Sequence, residues 1–246
     1  MVINDINCIF CNNITDEDTP IEHIWPESLG ANSFIAPFGT VCKSCNNYFS
    51  REIERFALES FPFKFIRSFF GIPTKKKKVS ISKTELGDMY GKPGGRYFYL
   101  KSSELNKNLR SGEIDTIQLI LSTRCEHPSA VCRLLLKMAI ECIAKENLSE
   151  AYSDKFNSAK QFARFPKRGS QWNFAIEYKN EYIFDSLKNG LSSSEDLNAS
   201  MRFTYTEDGP FYILEILGIT LITPLLPNEA VSDFTNPDFH IYNVKI

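Results

Sequence analysis

The sequence predicts an α+β protein in two parts: a small metal-stabilised N-terminal module, residues 1–72, and a larger α+β domain, residues 73–246. Three observations carry this expectation. Two Cys-x-x-Cys pairs frame the first fifty residues, where long periodic runs are scarce. The pattern changes after Gly71-Ile72-Pro73 and the lysine run Lys75, Lys76, Lys77 and Lys78. Beyond that point, strand-like alternations surround one strongly periodic helix.

The 246 residues are 43% hydrophobic and 24% charged, ordinary values for a globular protein, and a net charge of −2 excludes a basic nucleic-acid coat. No apolar run approaches the roughly 18–20 residues that span a bilayer. The chain opens Met1-Val2-Ile3-Asn4-Asp5, without the charged and apolar regions of a secretory leader, so a reducing cytoplasm is the expected location. In that setting paired cysteines read as metal ligands rather than disulfides.

The elements follow in order. Phe49, Ile53, Phe56 and Ala57 recur at helical spacing within Asn46 to about Phe70, and Pro62 ends or bends that helix. Phe61 to Ile72 is too apolar to face water and is expected to pack on the second part of the chain. Val79-Ser80-Ile81-Ser82 alternates like a strand; Arg96 to Leu100 and Ile114 to Ser122 read as further strands. His127-Pro128-Ser129 starts a helix to Glu146 that carries Val131, Leu134, Leu135, Met138, Ala139, Cys142 and Ile143 on one side. Ser153 to Phe165 predicts a second helix, and Trp172 to Tyr178 and Tyr182 to Phe184 short strands. Met201–Tyr205 and Phe211–Ile222 predict a hairpin turning at Asp208-Gly209.

Cys8-Ile9-Phe10-Cys11 and Cys42-Lys43-Ser44-Cys45 are knuckles about thirty residues apart. Four thiolates suit tetrahedral zinc, and such an ion supplies much of the folding energy of a small segment. Cys125, Cys132 and Cys142 lack this spacing, and Cys132 and Cys142, on the helix face or its edge, read as core residues. Between the knuckles lies Glu22-His23-Ile24-Trp25-Pro26, and Asn46-Asn47 follow the last cysteine. An acid-His dipeptide alone is usually an unremarkable loop pair, and Asn at a helix start is a good cap. Their place inside the zinc frame favours a functional reading.

In order and spacing, residues 8–55 resemble the HNH (ββα-metal, His-Me finger) endonucleases with a four-cysteine zinc site, the layout of small bacterial HNH proteins and phage endonuclease VII-type nucleases. The resemblance implies a ββα-metal module that hydrolyses DNA phosphodiesters, RNA being a second possible substrate. It makes His23 the general base, gives a Mg²⁺ or Mn²⁺ ion to Glu22 and Asn46, with Asn47 as a competitor, and structural Zn²⁺ to Cys8, Cys11, Cys42 and Cys45. A hard ion that keeps several waters needs only a carboxylate and an amide oxygen, and imidazole takes protons near neutral pH. Pro37 stands where the family's middle Asn usually lies. Asn32 is a candidate replacement, and Glu52 and Glu54 lie on the following turns. Small HNH proteins often act in bacterial defence or mobile elements, so a recruiting protein is a further expectation; a double-strand cut would require two copies, a dimer, or two successive nicks.

Residues 1–70 hold five Lys/Arg and nine Asp/Glu, so the module is acidic, whereas affinity for nucleic acid comes mainly from neutralised phosphates. The basic clusters Lys75–Lys78 and Arg164, Lys167 and Arg168 are therefore the expected nucleic-acid contacts. A solvated linker is an equal reading for the lysine run. The rival to a nuclease is a non-catalytic zinc ribbon that binds nucleic acid or protein.

Overall fold

The computed structural model describes residues 6–30, 34–73, 77–92, 98–113, 123–178, 199–207, 209–227, 231 and 238–246. Over these residues the chain is a mixed α+β protein. The N-terminal part has little regular strand. A bridge Asn7↔Ile14 closes the first knuckle, and a second antiparallel bridge pairs His23 with Ile35. That ribbon is completed by Ala36 N–H donating to Glu22 O (2.9 Å) and Ile24 N–H to Phe34 O (3.0 Å). A single 3₁₀ turn, Glu27–Leu29, follows Pro26 and ends at Gly30, whose φ of 105° favours glycine.

The second knuckle opens α1 (Lys43–Tyr48), which continues through a π-helical stretch, Phe49–Glu54, into α2 (Arg55–Ala57). The helix thus begins three residues before the expected Asn46, at the knuckle itself. The π turn widens the helix so that the successive residues Ile53 and Glu54 are both buried. After Pro62 comes α3 (Phe63–Phe69), with Phe63, Phe65, Ile66 and Phe69 buried, as so apolar a stretch requires.

β1 (Ser82–Thr84), β2 (Gly87–Gly91) and β3 (Phe98–Lys101) form an antiparallel sheet in that order. The strand expected at Val79 starts only at Ser82. Val79 and Ile81 are exposed, and Ser80 turns inward to Ser68, Oγ to Oγ 3.3 Å. Gly71, expected as part of a boundary, is packed instead. A Cβ built on Gly91 would lie 2.2 Å from Phe69 O, and one on Gly71 2.6 Å from the Lys92 carbonyl carbon. The two glycines let α3 and β2 touch backbone to backbone.

α4 (Ser103–Ser111), not anticipated from the sequence, is capped by Ser102 Oγ, which accepts from Leu105 N–H, and closed by Gly112 at φ 71°. α5 (Pro128–Glu146) has Pro128 at its first turn, where the missing N–H costs nothing. α6 (Leu148–Tyr152) precedes the stretch Ser153 to Phe165 read as one helix, which is a 3₁₀ turn, Asp154–Phe156, followed by α7 (Asn157–Arg164). The second sheet contains β4 (Gln171–Tyr178), β5 (Ala199–Tyr205), β6 (Pro210–Ile216), β7 (Ile219–Pro224) and β8 (His240–Lys245) in the antiparallel order β5-β6-β7-β4-β8. The expected strand Phe211–Ile222 is two strands. Leu217 and Gly218 both have positive φ (52° and 77°), and Ile216 pairs with Ile219 across a two-residue turn. The expected strands at 114–122 and 182–184, residues 96–97, Asp208, Asn32, Lys75 and Lys76 lie outside the described residues.

α5 joins the two parts of the chain. Ala130 to Ala144 is buried without interruption, so the helix is enclosed rather than amphipathic. Its apolar side rests among α6, α7 and the five-stranded sheet, while its other side meets α2 and the π-helical stretch. Cys8, Ile24, Trp25, Phe49, Leu134, Phe174 and Leu221 belong to one continuous apolar core. No helix among the described residues is long and apolar enough to cross a membrane.

Candidate active site and zinc centre

The knuckles converge as their spacing predicts. The Sγ atoms of Cys8, Cys11, Cys42 and Cys45 all lie within 4.8 Å of one another, and Cys11 and Cys42 are 3.5 Å apart. A Zn–S bond of about 2.3 Å gives a tetrahedral S···S edge of roughly 3.8 Å, so the quartet fits a structural zinc ion. The thiols already share protons unequally. Cys45 donating to Cys8 holds the Cys8 thiol down at about 5. The same bond and burial push Cys45 far up. Burial raises Cys11 to about 11. Cys125, Cys132 and Cys142 are buried free thiols apart from this group.

Two cationic side chains brace this centre. Arg164 donates from Nε to Cys45 Sγ at 3.3 Å, and its guanidinium lies 3.8 Å from the Tyr48 ring centroid. Arg133 bonds the Tyr48 hydroxyl and the carbonyl of Ala163. Arg164, expected at a nucleic-acid surface, is thus engaged at the zinc ligands, whereas Lys77, Lys78, Lys167 and Arg168 are exposed.

His23 is about a quarter exposed. Its Nε2 lies 3.2 Å from Glu27 Oε1, and its Nδ1 is shielded, with no hydrogen-bond partner among the described residues. Glu27 reaches it because Pro26 leads into a 3₁₀ turn, bringing the residue four positions on beneath the imidazole. The sequence signal was the His-x-x-x-Glu spacing, overlooked beside the acid-His pair. Asn46 is half-buried and Asn47 exposed on α1, directly after the zinc ligand Cys45.

Glu22 points inward, as alternation from His23 demands. It is 7% exposed, and its Oε1 lies 2.6 Å from Nζ of the fully buried Lys137. The same ammonium is 3.0 Å from Glu141 Oε2, 3.1 Å from the His23 carbonyl and 3.5 Å from Glu54 Oε1. Burial alone would lower this lysine; Glu141, Glu22 and Glu54 more than offset that and hold it charged, above the usual lysine range. Three acids share one ammonium, so burial raises Glu22 and raises Glu141 strongly. Lys137 was invisible to motif reading because it stands over a hundred residues from His23. A signal existed: Arg133, Lys137, Glu141 and Lys145 recur every fourth residue on α5, and all four contact or face the N-terminal part, Lys145 through the Ile35 carbonyl at 3.1 Å.

Residues 8–62 match the family model for HNH endonucleases. The N-terminal region is an HNH endonuclease domain. Its family hydrolyses phosphodiester bonds, generally with a divalent metal, and the implied substrate is nucleic acid. The match spans the two knuckles, Glu22-His23, Asn46-Asn47 and the π-helical stretch; α5 lies beyond it. No curated protein and no solved structure matches the chain.

Proposed function

We propose that the protein is a metal-dependent endonuclease that cleaves DNA with His23 as general base, Glu22 and Asn46 as ligands of a Mg²⁺ or Mn²⁺ ion, and Asn47 as the competing amide. The observation that carries this reading is the asymmetric environment of His23. A carboxylate at Nε2 favours the tautomer protonated there and leaves the shielded Nδ1 lone pair, which has no partner among the described residues, as the proton acceptor. Glu27 thereby takes the orienting task of the family's middle Asn. The donor types suit the ion: a carboxylate from Glu22 and an amide oxygen from Asn46 are hard oxygen donors, and the Glu22 carboxylate already holds a cation, Lys137 Nζ at 2.6 Å. When bound, the ion stabilises charge on the phosphate and the departing oxygen.

Residues 1–72 form the nuclease module in this reading. Residues 73–246 complete its core through α5 and present Lys77, Lys78, Lys167 and Arg168 toward nucleic acid, with Lys75 and Lys76 as part of the same basic run. One active site cuts one strand, so supercoiled plasmid incubated with zinc-loaded protein and Mg²⁺ or Mn²⁺ should become nicked before it becomes linear. Binding without cleavage under either ion would instead favour a non-catalytic zinc module. Parallel incubation with single-stranded RNA tests the other substrate class.

A further inference from the structure

We infer that Lys137 is a resident cation that competes with the catalytic metal ion for Glu22. The inference rests on the reading of Glu22 as a metal ligand and adds a residue from outside the family match. Lys137 Nζ makes its shortest contact, 2.6 Å, with the very carboxylate assigned to the metal. It is 0% exposed, so solvent does not screen that contact. A metal ion on Glu22 would stand a few ångströms from the buried ammonium, and two cations sharing one carboxylate without solvent screening repel, so each weakens the other's hold.

The surroundings supply the ammonium with somewhere to go. Glu141 lies one helical turn away on α5 and already accepts through Oε2 at 3.0 Å, while its Oε1 is buried and has no hydrogen-bond partner among the described residues. Glu54 Oε1 stands at 3.5 Å, within reach of a small rotation of the flexible lysine stem. Two acids beyond Glu22 therefore hold the charge once Glu22 turns to the metal. The His23 carbonyl, 3.1 Å from Nζ, ties the same exchange to the strand that carries the base. Glu141 is then a reservoir for the lysine rather than a ligand. The nuclease module and the second part of the chain meet at a site where metal loading moves a side chain of α5.

The test is Mn²⁺ binding to the zinc-loaded full-length chain, read from the electron paramagnetic resonance signal of free Mn²⁺, with thermal unfolding to confirm each fold. Removing the competitor in Lys137→Met should tighten Mn²⁺ by about tenfold or more. Removing the reservoir in Glu141→Gln, which preserves size, should weaken it several-fold, because Lys137 then stays on Glu22. If Lys137→Met fails to fold, Glu141→Gln carries the test. Unchanged affinity in the folded variants, with Glu22→Gln losing the ion, would overturn the competition while leaving Glu22 as a ligand. Unchanged affinity in Glu22→Gln would overturn the ligand reading, and the competition with it.

Discussion

At His23 the two ring nitrogens meet different surroundings: Nε2 lies 3.2 Å from Glu27 Oε1, whereas Nδ1, the nitrogen proposed as the base, is shielded with no hydrogen-bond partner among the described residues. Replacing Glu27 by Gln should lower kcat without changing Mn²⁺ affinity, since the base loses its orienting carboxylate while the metal donors stay; a titration of rate against Mn²⁺ measures both. Arg164 supports a second residue-scale prediction. Its Nε–H to Cys45 Sγ bond stabilises thiolate charge in the quartet. Arg164→Met should release zinc faster to a colorimetric chelator, with the fold retained until the metal leaves. The cysteine quartet was legible in the sequence because tetrahedral zinc imposes a local spacing. Glu27 was partly legible, by its fourth-residue offset. The Arg164 contact was not, because a basic residue beside two others reads as surface until its distant partner is placed.

At the scale of elements, glycine and the π turn decide more than hydrophobic periodicity. Gly91 and Gly71 let β2 and α3 meet at backbone distance. Gly91→Ala should therefore destabilise the protein by about 1–3 kcal/mol, the usual cost of overpacking, seen as a lower Tm. The packing of Gly71 was not legible because a glycine needed for close approach is indistinguishable, in one sequence, from a glycine at a boundary. α5 was legible as a helix from its caps and period. Its second buried face was not, because Arg133, Lys137 and Glu141 repeat at the spacing of a solvated stripe and are instead paired inside. The π-helical stretch left no sequence mark, since its i→i+5 hydrogen bonds run between backbone groups and demand no particular residue type.

For the whole molecule, the family match ends at residue 62 while the apolar core it joins runs on to Val244. A chain stopped at residue 72 would leave Glu22 and Glu54 without Lys137 and expose the faces of Phe49 and Ile53 that α5 approaches. Losing one partner of a buried ion pair costs about 3–5 kcal/mol, a large share of the stability of a domain. The fragment should therefore take up zinc without giving the dispersed amide spectrum of a folded protein, and co-expression with residues 73–246 should restore it. This dependence explains why the two-part organisation was only half visible. The chemistry of the module is written locally, whereas its support comes from a helix far along the chain. The supported module is proposed to cleave nucleic acid through His23. The most direct measurement compares supercoiled plasmid cleavage, with Mg²⁺ or Mn²⁺, by the zinc-loaded chain and its His23→Ala variant, both shown to be folded. A rate reduced about 10²–10⁴-fold in the variant is the expected result; cleavage at the unaltered rate by the variant would contradict it.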